Sequence, residues 1–500
     1  MIEFDWFAKW STYTPNKEAI LEYSTGRTFT YAQLNHLANQ LSLLLMSEYN
    51  IKKSDRLAVL AENCIEYAIL FGVAQKLGIT LVPINYRLAQ PELEFIISDC
   101  SPALLLYEDK FEDKVNSDKI KNGCYELLPM TKISTTIHEL TSMKIASENI
   151  SSNIEEDDAI FILYTSGTTA FPKGAIYTHK MLFWNSINTE LRLDITSNDR
   201  SISCAPPFHT GSWNVLFTPF LHHGAFTIIL KKFDAETELE LMDKQGITLW
   251  WAVPTMLKMM TDSQNFNITK MEKLRYIVVG GEALPLEVIR TWHNKGVPIR
   301  QGYGLTEVGP NVTSLNQEDA ERKLGSIGTP NFYIQTKIID ENGNEVLNEG
   351  TGEFLLKGPN VTPGYWKNEE ATAKAINDGW FSTGDVVKRD DEGFLYVVDR
   401  IKNMYISGGE NVYPAEVEHL LRQHNEISDL AIVGVPDDKW GEVGKAFIVR
   451  TEGSTLSEDD VKMFCLAKLA KYKIPKHVEF LEELPTNDAG KIDRKKLREL

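Results

Sequence analysis

Four aliphatic hydroxyls, two glycines and one lysine crowd into eleven residues, Tyr164-Thr165-Ser166-Gly167-Thr168-Thr169-Ala170-Phe171-Pro172-Lys173-Gly174. Almost nothing in this run could pack a core, and its chemistry suits a polyanion. Glycine lets backbone N–H groups approach phosphate oxygens. The hydroxyls of Thr165, Ser166, Thr168 and Thr169 add donors, and Lys173 adds a full positive charge. The run is not a Walker A loop, which ends Gly-Lys-Ser/Thr, because this one ends Pro172-Lys173-Gly174. A flexible surface loop with a chance lysine is the plainer alternative.

Further clusters would complete a nucleotide site. In Gln301-Gly302-Tyr303-Gly304-Leu305-Thr306-Glu307 an aromatic between two glycines can stack on a planar base. Thr306 offers a hydroxyl to phosphates, and Glu307 is a hard oxygen ligand of the kind Mg²⁺ prefers. Gly281, Glu282 and Ala283 follow the apolar run Tyr276-Ile277-Val278-Val279-Gly280. Ligands of open parallel sheets sit at the carboxyl ends of strands, so these three could lie flat against a base, or form only a tight turn. Asp385, after Ser382-Thr383-Gly384, could accept both hydroxyls of a ribose, although Gly-Asp is also common at plain turns. Arg400 suits ribose or phosphate oxygens. His209, in a turn bounded by Pro207 and Gly211, either faces a ligand or is a satisfied structural histidine. Lys491, near the end of the sequence, reads in isolation as a solvated charge.

These residues need a scaffold that gathers distant segments, and the chain has one. Its 500 residues exceed what a single core usually organises, so two or three domains are expected. Leu34 to Met46 has helical spacing, Arg56 to Leu60 reads as a strand, Ile65 to Leu77 as an amphipathic helix, and Thr80 to Asn85 as the next strand. Such alternation predicts mainly parallel sheets with crossover helices. Residues 110–155, rich in Lys, Ser, Asn and Glu, read as a surface insertion. A small α+β module follows a boundary near 400. The five cysteines, Cys64, Cys100, Cys124, Cys204 and Cys465, are scattered and lack C-x-x-C spacing, which argues against disulfides and structural zinc and fits a reducing cytoplasm. A net charge of −18 argues against nucleic acid, so any field attracting a nucleotide must be local. The acidic start lacks the layout of a signal peptide, and no apolar stretch approaches the ~18 residues of a membrane span.

The four loops, in this order and at these intervals, resemble the signatures of AMP-forming adenylating enzymes, the superfamily of acyl-CoA synthetases, adenylation domains and luciferases. Residues 399–418 and 436–442 look most like fatty-acid–CoA ligases. The resemblance implies an α/β fold: a large domain, 1–400, holding the acyl, ATP and Mg²⁺ sites, and a small mobile α+β domain, 401–500, swivelling about Lys402. It implies that Lys491 is catalytic, together with Thr306, Glu307 and His209, and that Glu307 with Thr165 serves the metal. The nucleotide would be held by Thr165, Ser166, Gly167, Thr168, Thr169, Lys173, Gly281, Glu282, Ala283, Gln301, Gly302, Tyr303, Gly304, Asp385 and Arg400. Ser407, Gly408 and Gly409 would approach CoA. The acyl pocket would lie among His209, Trp213, Trp251, Gly280 and Gly309. Trp213 matches the position of a gating tryptophan in some long-chain enzymes, or is simply a core tryptophan. Ala170 departs from the family, which commonly has glycine there. The implied reaction activates a carboxylic acid with ATP and passes the acyl group to CoA. Rival readings are loading of a carrier protein's phosphopantetheine, ligation of an aryl acid, and a non-catalytic nucleotide-binding protein. The expected partners are the small acid, ATP and CoA, in a cytoplasmic enzyme, with a homodimer left open.

Overall fold

The apolar runs become strands, and the described strands form four sheets. The computed structural model describes residues 3–500 except 124, 143–149, 151, 166–171, 282, 283, 285, 341, 401–404, 413 and 486–491, and only the backbone of 398–400, 411, 415, 419 and 495. The chain divides into two compact units. The first comprises Met1–Tyr86, Ser98–Leu163 and Gly174–Val398; the second comprises Arg87–Ile97, Tyr164–Lys173 and Asp399–Leu500. The second therefore takes in two short segments that the expected division at 400 leaves in the large domain.

One sheet runs in the order Glu126–Pro129, Leu104–Tyr107, Arg56–Leu60, Thr80–Pro83, Ala159–Thr165, Lys173–Thr178. Its first five strands pair in parallel, as buried strands joined by crossover helices do. The helix Ile65–Leu77 forms with the expected bounds, but all of its residues are buried, so it is not amphipathic. Glu66 and Lys76 find partners inside the fold, while the buried Gln75 amide has none among the described residues. The Lys76 amine reaches Asp5 at 2.7 Å and Asn35 at 2.6 Å, and the Ser134 hydroxyl donates to Glu66 at 2.7 Å. The helix Tyr31–Tyr49 starts on a capping box of Thr30 and Gln33. The supposed insertion is built into the fold. Glu126–Pro129 is an edge strand, and the helix Met130–Thr141 buries Met130, Ile133 and Ile137 in the main core.

A second sheet has the order Arg27–Thr30, Glu18–Glu22, Phe226–Ile229, Arg200–Ser203. A third has ten strands. Leu249–Ala252, Tyr276–Val279 and Ile299–Tyr303 are parallel, and from Gly302 onward the pairing turns antiparallel through Thr313–Ser314, Ser326–Pro330 and Leu395–Arg400. The parallel pattern thus ends where the second signature loop begins.

The second unit is built on a mostly antiparallel five-stranded sheet, with His477–Leu481 added in parallel to Gly441–Arg450. The helices Pro414–Leu421 and Glu458–Leu466 contribute Val417, Leu421, Val461 and Cys465 to its core. Among the described residues, no helix is long and apolar enough to cross a membrane.

Candidate active site

The three parallel strands of the large sheet end side by side. Trp251 pairs with Val278 and Val279 with Gln301, so Trp251, Gly280 and Gly302 are delivered to one end. Their closeness is measurable at the glycines. A Cβ on Gly280 would sit 3.5 Å from the Gly302 carbonyl oxygen and 4.0 Å from Trp251 Nε1. A Cβ on Gly211 would meet the far edge of the same indole at 2.9 Å, which places the His209 to Gly211 turn against Trp251. His209 itself caps the helix Thr210–Asn214, with its ring 4.6 Å from that of Phe208. Gly309 lies at φ +72, where a side chain would be strained and would meet Asn185 Oδ1 at 2.8 Å.

Trp213 does not share this surface. It is 1% exposed, donates its indole N–H to the Pro207 carbonyl at 2.6 Å, and packs against Phe161, Tyr67, Phe71 and Phe217. That is the placement of a core tryptophan.

Among the residues expected to hold a nucleotide, Asp385 lies against the segment Gln301–Glu307. The Tyr303 hydroxyl donates to Asp385 Oδ2 at 2.5 Å, so the aromatic and the acid assigned separately to base and ribose are neighbours. The Asp385 backbone N–H donates to Thr383 Oγ1, and the Thr383 hydroxyl to the Phe354 carbonyl, which fixes the bend that presents the carboxylate. Asp385 is 1% exposed, and Gln301 is buried as well. Gly304 is held close. A Cβ there would fall 2.2 Å from the Pro310 carbonyl oxygen.

Thr306–Val308 is one short 3-10 turn. It presents Glu307, whose Oε1 accepts from the Tyr365 hydroxyl at 2.9 Å. The Glu307 carbonyl accepts from the Thr362 backbone N–H at 2.7 Å, and the Asn360 amide donates to the Val308 carbonyl. Asn360, Thr362 and Tyr365 were not anticipated. The sequence did offer a signal, a hydroxyl-bearing aromatic inside the turn-forming Pro363-Gly364-Tyr365-Trp366. A magnesium ion is usually bound through one or two carboxylates plus substrate phosphates. A single carboxylate with its rotamer fixed by a phenol meets that requirement, so the donor set here fits the ion.

Thr165 and Lys173 stand where the strands flanking the glycine-rich loop end and begin, with the Thr165 hydroxyl directed at the Lys173 carbonyl at 3.4 Å. Ser166, Gly167, Thr168, Thr169 and Ala170 lie outside the described residues, as do Glu282, Ala283, Lys402 and Lys491. Gly281 is described, at φ +93. Arg400 ends the strand Leu395–Arg400, with its side chain outside the description. In the second unit, Ser407, Gly408 and Gly409 make the turn between the strands Tyr405–Ser407 and Glu410–Val412. Gly408 donates its N–H to the Trp440 carbonyl at 2.8 Å, and a Cβ on it would strike the Trp440 ring at 2.7 Å.

Comparison with known proteins gives the same outline. A family model described as AMP-binding enzyme matches residues 7–366, and one described as AMP-binding enzyme C-terminal domain matches residues 416–491. A feruloyl-CoA synthase of an Amycolatopsis species is 34% identical over 95% of this chain and 94% of its own. A long-chain-fatty-acid–CoA ligase of Mycobacterium tuberculosis is 35% identical over 98% of this chain and 96% of its own. Among solved structures, an o-succinylbenzoate CoA synthetase of Bacillus subtilis, a double mutant bound to a product analogue, superposes with a TM-score of 0.87 at 30% identity, covering 99% of this chain and 98% of that one.

Proposed function

The chain belongs to the AMP-binding enzyme family, and from that premise we propose that it activates a fatty acid with ATP and Mg²⁺ and transfers the acyl group to CoA. The observation that carries the reading is the joining of Tyr303 to Asp385 and of Glu307 to Tyr365 on one loop, beside the strand ends that hold Trp251, Gly280 and Gly302.

A carboxylate is a poor acyl electrophile. Its oxygen attacks the α-phosphate of ATP, the bond to the β-phosphate breaks, and pyrophosphate leaves with the acyl-adenylate formed. Asp385 and Tyr303 orient the nucleoside. Glu307 holds the ion that offsets phosphate charge when it is bound, and Thr306 donates nearby. Thr165, Ser166, Gly167, Thr168, Thr169 and Lys173 cradle the β- and γ-phosphates. Lys491 bridges the carboxylate and the α-phosphate. All of this is positioning and preorganised electrostatics rather than covalent catalysis by the protein. The thiol of CoA then attacks the mixed anhydride and displaces AMP. Rotation at Lys402, withdrawing Lys491 and bringing up the Ser407 to Gly409 turn, separates the two steps in time.

The fatty-acid preference is supported by the resemblance of residues 399–418 and 436–442 and by the likeness to the mycobacterial ligase. A second reading, an aryl acid, is favoured by one observation. The flat indole of Trp251 lies between two glycines, Gly211 and Gly280, a surface suited to a planar ring. CoA-dependent AMP release across straight-chain acids of graded length and a set of aryl acids tests both. Turnover concentrated on aliphatic acids is expected; turnover confined to aryl acids selects the second reading, and none with any acid overturns the function.

A further inference from the structure

One segment, Thr362–Trp366, ties the strand residues Gly174–Ile176 to the turn that carries Glu307. Its backbone bridges the strand that follows the glycine-rich loop. The Trp366 N–H donates to the Gly174 carbonyl at 2.7 Å, the Ile176 N–H donates to the Gly364 carbonyl at 3.1 Å, and Ala175 forms a β-bridge with Tyr365. The Thr362 hydroxyl reaches the Ile176 carbonyl at 2.6 Å. The opposite side of the same segment holds Glu307 twice, through the Thr362 N–H at 2.7 Å and the Tyr365 hydroxyl at 2.9 Å. Gly174 is the last residue of the glycine-rich run, so the five residues form a clasp between the strand residues Gly174–Ile176 and the turn that carries Glu307. Tyr365 is fixed in turn, because its N–H donates to Thr372 Oγ1 at 2.9 Å.

We propose that Tyr365 is a positioning residue for the adenylation step: its hydroxyl sets the orientation of the Glu307 carboxylate toward the magnesium ion. The inference rests on the proposed function. A phenol that donates to one oxygen of a ligating carboxylate restricts its rotation and tunes its strength as a ligand, and loss of such a support typically weakens metal binding by about tenfold or more. The β-bridge to Ala175 is made by the Tyr365 backbone and does not need the hydroxyl. The hydroxyl is therefore separable from the fold.

The test is Tyr365→Phe in the full chain. Magnesium dependence of ATP–pyrophosphate exchange is measured with the best acid of the panel. Mn²⁺ binding in the presence of a non-hydrolysable ATP analogue is followed by electron paramagnetic resonance, as a readout independent of turnover. The expected result is a rise of about tenfold in half-saturating Mg²⁺ and in the Mn²⁺ dissociation constant. Thioester formation from supplied acyl-adenylate and the melting temperature should stay unchanged. Thr372→Val loosens the same turn without removing the hydroxyl, and is expected to leave metal dependence alone. Unchanged metal dependence in Tyr365→Phe overturns the proposal. So does an equal shift in Thr372→Val, or a Tyr365→Phe protein that fails to fold, since each makes the residue structural. No exchange by the parent enzyme with any acid would refute the proposed function itself, an outcome distinct from all of these.

Discussion

Glu238 shows what one buried group costs. Its carboxyl is fully buried in the core beside Trp250 and Cys204, and among the described residues neither oxygen has a partner of good hydrogen-bond geometry. Burial pushes its pKa up to about 8, with Cys204 and Trp250 opposing the shift. The folded state therefore keeps a proton that the unfolded chain releases above about 4.5. Stability falls as pH rises through that window, by about 1.4 kcal/mol per pH unit at the steepest. Glu238→Gln should melt higher than the parent at pH 8 and equally at pH 4.5, measured by scanning calorimetry; parallel pH profiles would contradict this. The residues with legible chemistry carried distinctive types. Tyr303, Asp385 and Glu307 stood out as an aromatic and two acids in glycine turns, and Tyr303 and Asp385 prove to be in contact. Tyr365 was not legible, because its hydroxyl pairs with a residue 58 positions away rather than with its neighbours. Trp213 had two readings, and only packing against Phe161, Phe71 and Tyr67 places it in the core.

At the scale of elements, hydrophobic pattern gave the bounds of Arg56–Leu60 and Ile65–Leu77, while the environment of the helix stayed hidden. Pattern reports which residues avoid water, and Glu66 and Lys76 look solvated until their partners are known. Residues 126–141 were misread for the converse reason. A polar composition concealed the spacing of Met130, Ile133 and Ile137 that anchors a helix. Within the second unit, the segment Arg87–Ile97 is held by a charge cluster. Lys473, 1% exposed, reaches Glu92 at 2.6 Å and Glu416 at 2.7 Å, and the Ala470 N–H donates to Glu92 at 3.1 Å. Burial works against the Lys473 charge, but Tyr472, Glu416 and Glu92 outweigh it and raise its pKa. Burial, opposed by Lys473 and reinforced by Glu92, pushes Glu416 up to about 7. Removing the lysine strands two carboxylates in a dry site. Lys473→Met should cost about 3–5 kcal/mol, read as a lower melting transition, and Glu92→Gln added to it should recover part of the loss. A melt unchanged from the parent would contradict the cluster's role.

Across the whole molecule, the sequence order of the loops mattered more than any one of them. Asp385 and Lys491 each read in isolation as an ordinary turn or surface residue; their succession after Thr165–Lys173 and Gln301–Glu307 carried the family. The family comparisons bear out that inference over nearly the full length. The acid itself was not legible, because a pocket wall is assembled from single residues of separate strands, and the named relatives include ligases of quite different acids.

The central claim is that one site performs two reactions and that Lys491 serves only the first. The direct measurement assays the two half-reactions separately in Lys491→Ala. The account predicts that ATP–pyrophosphate exchange falls by about 10²–10³-fold, while acyl-CoA formation from supplied acyl-adenylate stays close to the parent rate. An equal loss of both half-reactions, or undiminished exchange, would contradict it.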